Sequence, residues 1–140
     1  MSVKVAELMS DAVVTTQPHK SIDHVRGIMV KNKISAVPII NTEEEPVGIV
    51  SSSDMVSDLN GSSPISALMT KKVYTVPMYD DVSIAARVMR NHRIHRVLVT
   101  HEKKLVGILS AFDLLKLVEE HRYVAKNPPT KSKRRGAKRQ

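Results

Sequence analysis

Two short stretches of the chain pair a hydroxyl with a carboxylate at the same spacing. Ser51 and Asp54 do so in "VGIVSSSDM" (47–55), and Ser110 and Asp113 in "VGILSAFDL" (106–114). An ionised carboxylate is an acceptor only, with two oxygens, and suits a cis-diol that presents two O–H donors. A serine three residues earlier, at a strand end, brings a hydroxyl beside that carboxylate once the chain turns into a helix. The helix N-terminus formed there favours anions, so ribose and phosphate are both within the chemistry of the motif. The same spacing approximates a capping box, with Ser at N-cap and an acid at N3, although Glu or Gln is the usual N3 partner. The two uses are compatible. Gly48 and Gly107, just before each motif, permit close approach of backbone or ligand.

A second candidate group is His95-Arg96 in "HRIHRVLVT" (92–100). A solvated charged turn is the plain reading. However, Ile94 and Val97–Val99 put the pair at the start of a buried strand, where a charge needs a reason. Arginine offers planar, charge-assisted donors suited to phosphate. The matching position earlier in the chain is Ser35-Ala36, smaller and uncharged.

Other chemistries find no support. There is no G-x-S-x-G nucleophile elbow, no Walker G-x-x-x-x-G-K-[ST] and no G-x-G-x-x-G. None of the six histidines falls in H-E-x-x-H, and with no cysteine there is neither a disulfide framework nor a thiolate zinc site. His92 and His95 lie three apart, but a helix-to-strand change between them spoils a shared metal face. The chain reads as non-catalytic, with no metal site.

The elements that must position these residues come as a repeat. "VAELMSDAVVTTQP" (5–18) lies over "ISALMTKKVYTVP" (65–77), and "SIDHVRGIMVKNKISAVPII" over "DVSIAARVMRNHRIHRVLVT". Leu8/Leu68, Met9/Met69, Thr15/Thr75, Met29/Met89, Ile34/Ile94, Val37/Val97, Gly48/Gly107, Ser51/Ser110 and Asp54/Asp113 are identical pairs. Each copy parses as β-α-β-β-α. "AVVTT" and "KVYTV" are short β-branched runs. Ser21 and Asp81 can cap helices whose apolar positions recur at three and four residues. "SAVPII" with "PVGIVS", and "HRVLVT" with "LVGILS", read as hairpins. Final helices are expected from Ser52 and from Ala111, the latter toward Tyr123. A repeat of about 55 residues is marginal as an independent fold, so two units packed under a pseudo-twofold are expected.

Composition agrees with a globular body and a separate tail. The chain has 140 residues, 41% hydrophobic and 26% charged, and only four aromatics, so its core must be aliphatic. No apolar run reaches the roughly 18 residues of a membrane span, and the first residues lack a signal-peptide pattern. A cytoplasmic protein is expected. The net charge of +8 is unevenly placed: "KNPPTKSKRRGAKRQ" (126–140) holds seven of the 22 Lys/Arg and no acid, leaving 15 basic against 14 acidic residues elsewhere. Without large apolar residues that tail is expected to be disordered. Lys131, Lys133, Arg134, Arg135, Lys138 and Arg139 could bind nucleic-acid phosphate nonspecifically, though no aromatics are interleaved to stack bases.

Taken together, "NKISAVPII", "RIHRVLV" and the doubled "VGI-S-x-x-D" resemble a tandem pair of CBS domains (a Bateman module), in particular the adenylate-binding γ subunits of AMP-activated protein kinases. The likeness spans residues 5–118. It implies an α/β (α+β) fold with repeats at 1–62 and 63–124, followed by a basic tail at 125–140. It also implies non-catalytic binding of AMP, ADP, ATP or S-adenosylmethionine in a cleft between the repeats, with no cofactor otherwise required. The ligand-contacting positions implied are Thr15, Ile34, Ser35, Ala36, Pro38, Ser51, Asp54, Thr75, Ile94, His95, Arg96, Ser110 and Asp113. Within the family, the His-Arg pair of one repeat reaches the phosphate of the nucleotide whose ribose is held by the Asp of the other. By that rule His95 and Arg96 belong with Ser51 and Asp54, while Ser35-Ala36 faces the nucleotide held by Ser110 and Asp113. Such modules form disc-like dimers and regulate an attached or separate effector. A homodimer with an unidentified effector is therefore expected, and the length suggests no attached catalytic domain. The rival expectation is a nucleic-acid binder acting through the tail, with the repeats as scaffold.

Overall fold

The structure is a computed structural model that describes residues 2–121. Tyr123 and the basic tail residues Lys131, Lys133, Arg134, Arg135, Lys138 and Arg139 lie outside the described residues.

Both long helices form where capping and apolar spacing coincide. Helix α2 (Ile22–Asn32) begins at Ser21, whose hydroxyl accepts the His24 N–H at 3.0 Å, and buries Ile22, Val25 and Met29. Helix α3 (Val82–His92) begins at Asp81, whose carboxylate accepts the Ser83 N–H at 2.9 Å, and buries Val82, Ala85 and Met89. Each helix ends on a non-glycine residue in the left-handed region, Lys33 and Arg93, both at φ 54°. That conformation usually falls to Gly or Asn, and it turns the chain sharply from helix into strand.

The strands follow at once. Strand β1 (Ala36–Ile40) pairs antiparallel with β2 (Pro46–Ser51), placing Ala36 opposite Ser51. Strand β4 (Arg96–His101) pairs with β5 (Lys104–Ser110), placing Arg96 opposite Ser110. In the second repeat a third strand, β3 (Thr75–Pro77), runs parallel to β4. The expected first-repeat strand in "AVVTT" is reduced to an isolated bridge between Thr16 and Ile39. The cause is Pro38. Its counterpart Leu98 donates its N–H to the Tyr74 carbonyl at 3.0 Å, and proline has no N–H to give.

The final helices also differ. Helix α4 (Ala111–Glu119) forms as expected and ends before Tyr123, whereas "SSDM" makes a single 3₁₀ turn, Ser52–Met55. "AFDLLKLVE" is rich in helix formers. "VSDLNGSSP" after Met55 has none of that periodicity and ends in Gly and Pro.

The repeats interlock rather than merely touch. One buried cluster joins Ile22, Val25, Met29, Val37, Ile39 and Val50 to Ile65 from the second repeat. The other joins Val76, Val82, Ala85, Met89, Val97, Val99 and Leu109 to Val3, Val5 and Leu8 from the first. Helix α1 (Val5–Leu8) and the 3₁₀ turn Ile65–Ala67 thus each complete the other repeat's core. Backbone bonds follow the same exchange: Ser10 and Ile108 trade N–H···O bonds at 2.9 and 3.0 Å, as do Thr70 and Ile49. The motif glycines receive the exchanged segments. A Cβ at Gly48 would lie 2.5 Å from the Met69 sulfur, and one at Gly107 would overlap the Met9 sulfur. Close packing, not ligand approach, uses these two glycines.

Candidate ligand-binding site

Both S-x-x-D motifs form helix-start caps. Asp113 Oδ2 accepts the Ser110 N–H at 2.9 Å while Ser110 Oγ accepts the Asp113 N–H at 3.1 Å, a reciprocal box opening α4. Asp54 Oδ2 accepts both the Ser51 N–H at 2.8 Å and the Ser51 hydroxyl at 3.0 Å. The Ser51 and Ser53 hydroxyls lie 2.9 Å apart. All bonds to Asp54 fall on one oxygen, and a carboxylate has two. Capping therefore leaves Asp54 with acceptor capacity.

Asp54 lines a cavity of about 620 Å³ between the repeats, within the roughly 300–1,000 Å³ range of small-molecule sites. Ala36, Ile49, Ser51, Ser53 and Asp54 form the first-repeat wall. Ile94, His95, Arg96 and Leu98 face them from the start of β4. Between lie Thr70, Lys72, Val73 and Tyr74, from the segment before β3, and His92 with Arg93, from the end of α3. The polar groups cluster around an aliphatic floor. Among the described residues, Asp54 is the only acidic one in the lining, against Lys72, Arg93, Arg96 and two histidines.

Several side chains are fixed by contacts visible in the structure. Arg96 donates from Nη2 to the Ser35 hydroxyl at 2.8 Å, a bond across the repeats. The Tyr74 and His92 rings stack with centroids 4.1 Å apart and planes 27° from parallel. Lys72 Nζ sits 5.8 Å from the centre of the Tyr74 ring. Ser52 donates its N–H to the Ser35 carbonyl at 2.8 Å and Ala111 to that of His95 at 2.7 Å, tying each motif to its repeat's strand start.

Of the residues singled out from sequence, Ala36, Ser51, Asp54, Ile94, His95 and Arg96 line this one cavity. Ser35 lies beside it as the partner of Arg96. Ile34 packs on the first core, and Pro38 is buried within β1. Thr75 is exposed on β3, and Thr15 lines a separate shallow pocket with Gln17, Lys20 and His24. Ser110 and Asp113 cap α4, away from this lining. Sequence reading missed Lys72, Tyr74, His92 and Arg93. Tyr74 and His92 are eighteen residues apart and meet only through the fold.

Two interlocked repeats around a polar cleft define a tandem-domain architecture, and comparison with known proteins gives it a family. The CBS domain family matches residues 5–61 and 65–120, and the chain belongs to it. It is similar to the CBS domain pair of protein MJ0100, solved with 5′-methylthioadenosine and S-adenosyl-L-methionine: 26% identity, TM-score 0.77, covering 86% of this chain and 99% of that one. It is equally similar to a CBS domain protein from Pyrobaculum aerophilum complexed with AMP: 26% identity, TM-score 0.76, covering 86% and 100%. Among curated proteins, inosine-5′-monophosphate dehydrogenase from Staphylococcus saprophyticus is 30% identical over 105 residues, 73% of this chain and 22% of that enzyme. Homoserine O-acetyltransferase from Methanosalsum zhilinae is 28% identical over 123 residues, 86% of this chain and 25% of that enzyme. The chain spans about a quarter of these enzymes. No helix among the described residues is long and apolar enough to cross a membrane.

Proposed function

We propose that this CBS pair is a non-catalytic regulatory module that binds an adenosine ligand in the cleft between its repeats. The observation that carries the reading is the meeting of Ser51 and Asp54 with His95 and Arg96 around one cavity. The adenosine compounds held by two structural neighbours support it. In this reading Asp54 accepts the ribose hydroxyls through the oxygen that its cap does not use. His95 and Arg96 hold the phosphate, and the Ser35 hydroxyl pre-orients the guanidinium. Ser110 and Asp113 serve a second, separable half-site with fewer cationic donors. The module pairs with a second copy through α4, where Phe112, Leu115 and Val118 are 77%, 57% and 62% exposed at three-residue spacing. A strictly monomeric mass by light scattering at tens of micromolar would remove that part.

The decisive experiment is calorimetric titration of AMP and adenosine into wild type, Arg96→Ala and Asp54→Ala. Losing one charge-assisted bond costs about 1.5–3 kcal/mol, or roughly ten- to a hundred-fold in affinity. Arg96→Ala should weaken AMP by that factor and adenosine little. Asp54→Ala should weaken both. Equal loss of AMP and adenosine in Arg96→Ala would sink the role assignment, and no saturable binding by wild type would sink the reading itself.

A further inference from the structure

The cavity holds more positive charge than a single phosphate uses. We infer that Lys72, His92 and Arg93 form a second anion subsite beyond His95 and Arg96, so that the ligand is an adenosine di- or triphosphate rather than a monophosphate or a cationic sulfonium. This rests on reading the cavity as an adenosine-ligand site.

The first argument is charge. Lys72, Arg93 and Arg96 are basic side chains, and among the described residues the lining sets only Asp54 against them. A phosphate monoester carries about −1.5 to −2 near neutral pH. His95 and Arg96 supply the donors for such a group. Lys72 and Arg93 then add further positive charge to the same lining, which an additional anionic group would offset. Each further phosphoryl group brings about one more negative charge and extends the ligand toward them.

The second argument is that the fold does not require these side chains. In the other repeat the positions equivalent to Lys72, Tyr74, His92, His95 and Arg96 are Ala12, Val14, Asn32, Ser35 and Ala36, although both repeats form the same antiparallel hairpin. Only Arg93 keeps a cationic counterpart, Lys33, at the same φ of 54°. The negative end of a helix dipole favours one such cation at a C-terminus. It does not explain a row of them.

Geometry completes the case. The Tyr74–His92 stack at 4.1 Å, with Lys72 Nζ 5.8 Å from the tyrosine centroid, makes one wall. That wall joins the segment before β3 to the end of α3. Arg93 follows His92 directly, and its left-handed backbone turns the chain toward His95 and Arg96. Lys72, His92 and Arg93 therefore share one lining with the phosphate-binding pair.

The test is calorimetry with adenosine, AMP, ADP, ATP and S-adenosylmethionine, magnesium-free and at fixed ionic strength. Inorganic tripolyphosphate serves as a probe that needs no adenosine contact. The variants are Lys72→Ala, which copies Ala12, and Arg93→Asn, which tolerates the left-handed backbone. The charge-keeping pair Lys72→Arg and Arg93→Lys is the control. Wild type should bind ATP more tightly than ADP, and ADP more tightly than AMP. The neutral double variant should lose about five- to tenfold in ATP affinity, modest because these side chains are exposed. Its AMP affinity should fall by less than its ATP affinity, lowering the ATP-to-AMP ratio, and the charge-keeping pair should retain the ATP preference. ATP binding no tighter than AMP, or an ATP-to-AMP ratio unchanged in the neutral variant, overturns the subsite. If no adenosine compound binds, the proposed function fails separately. Tripolyphosphate then decides the subsite: saturable binding lost in the neutral variant supports it, and no binding overturns it.

Discussion

The two repeats share a backbone plan and differ in what they hang on it. Capping residue, apolar helix stripe, left-handed turn, hairpin and motif glycine occur in the same order in both. Yet β4 carries a third strand that β1 lacks, and α4 is a helix where the first repeat makes a single turn. The chemistry diverges further: His95-Arg96 stands where the first repeat has Ser35-Ala36. The comparison teaches that scaffold and site are separable here. The exchanged segments keep the two halves together, and that frees the surface of each half to specialise.

The largest effect should come from breaking the exchange. Ile65 is fully buried in the first repeat's cluster although it belongs to the second repeat. Ile65→Ala should cost about 2–5 kcal/mol through lost burial and the cavity left behind. The melting temperature should fall by roughly 10 °C or more. Because Val3, Val5 and Leu8 tie the other core in return, calorimetry should still show one cooperative transition. Two transitions, with only one of them shifted, would mean that the repeats fold separately and would break the comparison.

A smaller effect separates the two motif glycines. The three atoms nearest a Cβ at Gly48 all belong to the Met69 side chain, which is flexible and can repack. At Gly107 it would also come within 3.0 Å of the Ser10 carbonyl oxygen, and that atom is fixed by its bond to Ile108. Gly107→Ala should therefore be the more costly change, at about 1–3 kcal/mol, with Gly48→Ala below about 1.5 kcal/mol. Urea midpoints at constant m-value give the order. The reverse order would show that the two exchanged segments are not held alike.

Much of this comparison was legible in the sequence. The identical pairs place both helices and both hairpins, since capping and periodicity are local signals. The meeting of Asp54 with His95 and Arg96 came from the family resemblance, not from spacing. What stayed hidden was non-local. Pro38 looked like one more residue of a buried run. Its missing N–H matters only once a third strand lies beside it. The short 3₁₀ turn after Ser51 shares S-x-x-D with α4, and the difference lies in the residues beyond the motif. Tyr74 and His92 gave no signal because nothing in a linear reading brings the end of α3 against the segment before β3. The sequence marks Ser35 as a ligand contact, whereas its bond to Arg96 depends on the two strand starts lying side by side.

The smallest effect concerns the two helix caps, Ser21 for α2 and Asp81 for α3. A hydroxyl cap does not titrate in the working range, whereas a carboxylate cap does. Hydrogen bonds from Ser83, the side chain first and the backbone N–H next, hold the Asp81 carboxyl below the usual carboxylate range, with a further contribution from the charge of Lys4. A group whose folded pKa is depressed contributes stability that is present above its unfolded pKa and is lost as pH falls through its folded one. The window therefore opens near pH 4, the ordinary aspartate value, and extends downward. At pH 7, Asp81→Ala should cost about 1 kcal/mol and Asp81→Ser a few tenths, since serine caps nearly as well. At pH 3 the gap between wild type and Asp81→Ala should narrow. The gap between Ser21→Ala and wild type should hold, because the other carboxylates cancel in each difference. Chemical denaturation of the three variants at both pH values measures this. A Ser21→Ala gap that narrows as much as the Asp81→Ala gap would show that the acid sensitivity lies elsewhere and that the two caps are equivalent.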